Sequence, residues 1–114
     1  MINVEPIVLG QRQLAIVTLP GEIDMANADD IGKQLAAPFP SGVGVVIADM
    51  TATTFCDSLG IGMLVNACRQ AVADGGELRL LLPCPGVLKV MDVLGVDAVL
   101  PIYQSLEKAL ADVG

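Results

Sequence analysis

Residues 42–60 read Gly-Val-Gly-Val-Val-Ile-Ala-Asp-Met-Thr-Ala-Thr-Thr-Phe-Cys-Asp-Ser-Leu-Gly, and this stretch decides the fold. The run from Gly42 to Asp49 is apolar almost without a break, the pattern of a central strand covered on both faces rather than a half-solvated one. A loop of small residues, Thr51 to Thr54, follows. Phe55-Cys56-Asp57-Ser58 then leads into a helix predicted from about Ser58 to Asp74 and ended by Gly75-Gly76. A doubly covered strand feeding a long helix predicts an α/β sheet.

Working outward, the same alternation continues. Strands are predicted at Val4 to Leu9, with a turn at Gly10-Gln11, and at Gln13 to Leu19, stopped by Pro20-Gly21. A helix opens at Asp24, read as its N-cap, and carries Ala26, Ile31, Leu35 and Ala36 toward Pro38. Beyond the long helix come a buried strand at Leu78 to Leu82, a helix from Gly86 to Leu94 and a brief strand near Ala98 to Leu100. A last helix runs from Tyr103 to Asp112. The predicted fold is α/β: one domain spanning residues 1–114, with a small mixed β-sheet flanked by about four helices.

A chain of 114 residues with 54% apolar and only 3% aromatic side chains must build an aliphatic core. At this size roughly two-thirds of the unfolded surface can be buried, so neither metal nor disulfide is needed to hold it. The formal net charge of −7 argues against nucleic acid and against an acidic membrane surface. It favours a protein partner with a basic face. Mean hydropathy is high, +0.67. Even so, no run approaches the roughly 18 to 20 apolar residues of a membrane span. The first residues lack the basic and apolar regions of a secretion signal, and Cys56, Cys68 and Cys84 lack paired spacing. Reduced thiols and a cytoplasmic location are expected.

Several chemistries are excluded by residue type. The chain contains no histidine, which removes the Ser-His-Asp triad, the Cys-His dyad and histidine-bearing zinc sites. Cys56 stands beside Asp57, whose charge disfavours a thiolate. Gly60-Ile61-Gly62 and Gly42-Val43-Gly44 do not extend to a dinucleotide or phosphate-loop motif. No catalysis, cofactor or metal is expected. Asp49, at the end of a central strand, leaves one alternative open. It could accept a phosphoryl group as the aspartate of a response-regulator receiver does, with Glu22 and Asp24 imitating the acidic pair, although no lysine lies near Leu100-Pro101.

The Asp57-Ser58 pair has two readings. Either residue can cap the helix that starts there. The helix adds a second signal. At about 100° per residue, Ile61, Leu64, Val65, Cys68, Ala71 and Val72 share one face, opposite Asn66, Arg69, Gln70 and Ala73. Leu59 and Met63 fall on the polar side beside Ser58. Two apolar side chains there form either a docking surface or a patch covered by a neighbouring loop.

These residues resemble the STAS domain, shared by anti-sigma-factor antagonists and the tails of sulphate transporters. The resemblance covers nearly the whole chain. It runs through Gly21-Glu22-Ile23-Asp24, Val46-Ile47-Ala48-Asp49, the motif Asp57-Ser58-Leu59-Gly60, and the tail from Val90 to Val96 and Leu106 to Ala109. It implies that Ser58 is phosphorylated by an anti-sigma factor that is also a serine kinase, and that the unphosphorylated form binds this kinase and frees the sigma factor. The partner-binding residues expected are Glu22, Asp24, Asp57 and Ser58, together with Leu59 and Met63 from the helical phase. Leu59 replaces a small polar residue common in the motif, and Asn27 replaces a frequent threonine. A STAS subunit of a transport or stress-signalling assembly is the rival within the family.

Overall fold

The computed structural model describes residues 3–9 and 12–113, so the turn expected at Gly10-Gln11 lies outside the described residues. Five strands form the main sheet. They are β1 (Asn3–Leu9), β2 (Arg12–Thr18), β4 (Val45–Asp49), β6 (Glu77–Leu81) and β7 (Ile102–Tyr103), hydrogen-bonded in the order β1-β2-β4-β6-β7. β1 and β2 run antiparallel and every other pair is parallel, which makes the sheet mixed as expected. Two short strands, β3 (Glu22–Ile23) and β5 (Phe55–Cys56), pair separately.

The central strand reads as its sequence demands. Val45, Val46, Ile47 and Ala48 are all fully buried, with alternate residues serving opposite faces. Val46 and Ala48 join the larger core with Leu78, Leu80 and Leu82, beneath α1 (Ala28–Ala36), α2 (Ser58–Ala73) and α3 (Pro85–Leu94). Val45 and Ile47 join a smaller cluster with Leu14, Ile16 and Leu81. That cluster lies under the short helix α4 (Leu106–Leu110) and Val113. Three helices thus cover one face and one covers the other.

Four boundaries differ from expectation. α1 begins at Ala28 rather than Asp24, because the Asp24 carboxylate accepts the Ala26 amide at 2.9 Å and forms a turn instead of capping a helix. β4 begins at Val45, since Gly42 adopts φ +97° in the turn before it. The segment read as a strand near Ala98 is a 3-10 turn, Val96–Ala98, and the strand comes later at Ile102–Tyr103. There the Pro101 and Tyr103 carbonyls accept the Leu80 and Leu82 amides at 2.9 and 2.8 Å. Tyr103 therefore belongs to the sheet, and the last helix waits for Ser105, whose hydroxyl accepts the Lys108 amide.

Candidate functional site

The site is built where two crossovers leave the sheet. β4 ends at Asp49, whose carboxylate accepts the Thr51 amide at 3.0 Å and hydroxyl at 2.7 Å. Thr53, fully buried, donates to the Pro20 carbonyl at 2.8 Å, and the Thr54 amide bonds Gly21. These bonds tie the loop after β4 to the loop after β2. The β3–β5 pairing continues the seam, with Glu22 opposite Phe55 and Ile23 opposite Cys56. The Asp57 amide closes it by donating to the Ile23 carbonyl at 3.0 Å.

α2 starts at the end of this seam. Asp57 is its N-cap, accepting the Gly60 amide at 2.8 Å, and Ser58 is the first helical residue and exposed. Gly60 is needed by packing. A Cβ there would stand 2.8 Å from both Cys56 Sγ and Ile23 Cγ2. Gly62, two residues on and nearly on the opposite face of the helix, faces open space. Gly60 and Gly62 therefore answer different needs, and neither is part of a phosphate loop.

Helical phase placed the α2 side chains well, with one exception. Ile61, Leu64, Cys68 and Ala71 are buried, while Asn66, Arg69, Gln70 and Ala73 are exposed. Val72, expected in the core, is 70% exposed in the last turn, where it edges a second groove with Val99 and Pro101. Leu59 is 58% exposed. Met63 is half-buried and packs partly on the core.

Ser58, Leu59 and Met63 share a groove of about 670 Å³ between α1 and α2. Its other lining residues include Met25, Asp29, Gly32, Lys33 and Gly62. The sequence reading missed Met25, which is 76% exposed, and the small residues that open the groove. No periodicity signals them, because they meet only once α1 lies beside α2. Glu22 and Asp24 do not line the groove. They lie on the β3 seam beside it, held by Asn27, which accepts the Asp24 amide at 3.0 Å and donates to the Glu22 carbonyl at 2.9 Å. The departure at Asn27 thus shapes the loop that carries both carboxylates.

The electrostatics of this end are acidic. Glu22, Asp24, Asp29 and Asp57 surround it, and Lys33 is engaged by Asp29 at 3.5 Å. Burial, and then the charge of Asp57, push the Cys56 thiol up to about 11, so Cys56 is a poor nucleophile. Cys84 is half-buried rather than fully inside, unlike Cys56 and Cys68. Among the described residues no three His, Cys, Asp or Glu side chains group as metal ligands, and no helix is long and apolar enough to cross a membrane.

The STAS domain family matches residues 5–109, from β1 into α4. The chain belongs to this family. It is 30% identical over 86 residues to the anti-sigma F factor antagonist of Lysinibacillus sphaericus, a match covering 75% of this chain and 74% of that relative. Its fold is similar to that of an anti-sigma factor antagonist from Mycobacterium paratuberculosis, with a TM-score of 0.79 and 22% identity over 99% of this chain and 94% of that one. The fold is also similar to part of a murine anion transporter, solute carrier 26 family member A9. It matches with a TM-score of 0.71 and 21% identity over 86% of this chain and 17% of the transporter. Fold alone therefore does not separate a regulator from a transporter module.

Proposed function

We propose that the chain is an anti-sigma-factor antagonist that binds an anti-sigma factor through the face around Ser58, and that phosphorylation of Ser58 by this factor's kinase activity releases it. The observation that carries the reading is the division of labour at the start of α2. Asp57 does the capping, so Ser58 stands exposed at the mouth of the groove with no structural duty there. The kinship with the Lysinibacillus sphaericus antagonist supports the same role.

In the reaction the Ser58 hydroxyl oxygen attacks the γ-phosphorus of ATP. Its proton passes to a base of the kinase, and ADP leaves with the bridging oxygen. The new group adds about −1.5 to −2 charges. At a helix N-terminus the backbone dipole stabilises it by roughly 0.3–1 kcal/mol, so the fold tolerates it. The partner does not, because the charge adds to Asp57, Asp29, Asp24 and Glu22 on a face that attracts a basic surface. Like charges juxtaposed in an interface cost several kcal/mol, and about 3 kcal/mol weakens binding roughly a hundredfold. The partner-binding residues are Glu22, Asp24, Asp57, Ser58, Leu59 and Met63, joined by Met25.

Incubation with candidate anti-sigma factors and ATP, followed by mass-spectrometric mapping, tests the reading. Acid-stable phosphate on Ser58 is expected. An acid-labile acyl phosphate on Asp49, whose carboxylate is occupied by Thr51, would overturn it.

A further inference from the structure

Five hydrogen bonds pin the turn that leads into α1. The Asp24 carbonyl accepts the Asn27 and Ala28 amides at 3.2 and 2.8 Å, and the Asp24 carboxylate accepts the Ala26 amide. Asn27 accepts the Asp24 amide and donates to the Glu22 carbonyl. Met25 is a central residue of that turn and is 76% exposed. A single exposed apolar side chain is ordinary. What gives this one meaning is its place, because it lines the same groove as Ser58, Leu59 and Met63.

Met25 is also set apart from the other thioethers. Of the five methionines in the chain, Met50 and Met91 are fully buried and Met63 is half-buried against the core. Met1 lies outside the described residues. An oxidant must reach the sulfur lone pair, so exposure selects which methionine reacts. The carboxylates of this end, Glu22, Asp24, Asp29 and Asp57, repel anionic oxidants but not hydrogen peroxide, which is uncharged.

The chemistry balances with peroxide alone. The Met25 sulfur attacks one peroxide oxygen, an S–O bond forms and the O–O bond breaks. The displaced hydroxide takes the proton from the new S–OH group and leaves as water. Sulfur gives up two electrons, which reduce the peroxide. A dithiol-dependent reductase reverses the step, releasing the sulfoxide oxygen as water while two thiols become a disulfide.

The product is a different kind of groove wall. A thioether is apolar and flexible, which suits a docking surface, whereas a sulfoxide is polar and chiral. A partner that covers it must strip its water without offering a matched donor, and binding weakens. We infer that Met25 is a redox modification site, at which peroxide forms the sulfoxide and the sulfoxide loosens the anti-sigma factor from the groove beside Ser58. This rests on the reading of that face as the partner's docking site. It gives the interface a second input that needs no phosphate.

The full-length protein is treated with hydrogen peroxide and its peptides are mapped by mass spectrometry over time. Met25 should convert first, ahead of Met63, with Met50 and Met91 reacting only as the domain opens. Calorimetry against the anti-sigma factor that phosphorylates Ser58 should then find binding about tenfold weaker, with the melting temperature unchanged. Reductase treatment should restore the affinity. Met25→Leu should bind as the parent does and keep that affinity through peroxide, while Met25→Gln should bind weakly without it. Bound partner should slow the oxidation of Met25. Absence of binding before any peroxide is added would overturn the reading of function, and this inference with it. Three results would overturn this inference alone: full parent affinity after complete conversion of Met25, peroxide sensitivity that survives in Met25→Leu, or buried methionines reacting as fast as Met25.

Discussion

Asp57 Oδ1 accepts the Gly60 amide at 2.8 Å, and this bond separates the roles of the neighbouring residues Asp57 and Ser58. A helix leaves its first four amides without intrahelical partners, and a carboxylate at the N-cap satisfies one of them and complements the dipole. Asp57→Ala should therefore cost about 1 kcal/mol, lowering the melting temperature by about 4 °C. Asp57→Asn should recover most of it. Ser58→Ala should melt within a degree or two of the parent, because no cap is lost. A large loss for Ser58→Ala in thermal melts would mean that the serine, not the aspartate, holds the helix start.

Charge at position 58 should be felt by the partner and not by the fold. Ser58→Ala is expected to bind the anti-sigma factor as the parent does, and Ser58→Glu at least several-fold more weakly. Glutamate carries less charge than phosphoserine and sets a lower limit on the effect. Titration calorimetry gives the affinities, and circular dichroism should find both variants folded. Equal affinities would remove repulsion at this site as the basis of release.

Two glycines of one helix should respond in opposite directions. Gly60→Ala drives a methyl to 2.8 Å from Cys56 Sγ and Ile23 Cγ2 and 3.3 Å from the Ile23 carbonyl oxygen. Overpacking of this kind costs about 1–3 kcal/mol, more than the gain in helix propensity. Gly62→Ala meets nothing within 4 Å and should stabilise α2 by roughly 0.5–1 kcal/mol. Urea unfolding of the two variants checks the signs.

Regular elements were legible where one physical signal dominated. The run from Val45 to Ala48 is apolar on both faces and is buried on both. The phase of α2 predicted which side chains reach the core until Val72, where the helix outruns it. Legibility failed where local and tertiary demands compete. Asp24 looks like a cap, yet its carboxylate closes a turn, and Asn27 uses both ends of its amide to hold that turn. The brief β7 is specified less by its own residues than by the Leu80 and Leu82 amides waiting for a partner. Of the site, the sequence named Ser58, Leu59 and Met63 but not Met25 or the open glycine at 62, because the groove exists only between two packed helices. Arg79 went unnoticed within an aliphatic strand for the same reason. Besides the neighbouring Glu77, its partners Ala109 and Asp112 lie 30 and 33 residues away.

Leu59 and Met63 should separate docking from packing. Leu59 is 58% exposed, so Leu59→Asp should leave stability within about 0.5 kcal/mol while weakening partner binding. Met63 is half-buried against the core, and a methyl on Gly32 would lie 3.2 Å from its Cγ. Met63→Asp should thus lose binding and also melt lower, by roughly 1–3 kcal/mol of stability. Thermal melting alongside calorimetry distinguishes the two. A destabilised Leu59→Asp would show that this side chain is part of the core.

The thiols supply a test in alkaline pH. Burial raises Cys68 to about 11, and burial followed by the charge of Asp57 raises Cys56 to about 11, from an ordinary 9.0. A thiol whose folded value lies above its unfolded one keeps its proton longer in the native state. Its contribution to stability is complete below about pH 9 and is lost as pH climbs toward 11. Unfolding midpoints should therefore fall across that window, and Cys56→Ala should flatten part of the decline. In native buffer a thiol reagent should modify half-buried Cys84 first, because the other two thiols are buried. Cys56 and Cys68 should react only as fast as the domain opens. Immediate reaction of all three cysteines in native buffer would show that the floor of the Asp57–Gly60 turn is accessible, and that Cys56 is not sealed beneath it.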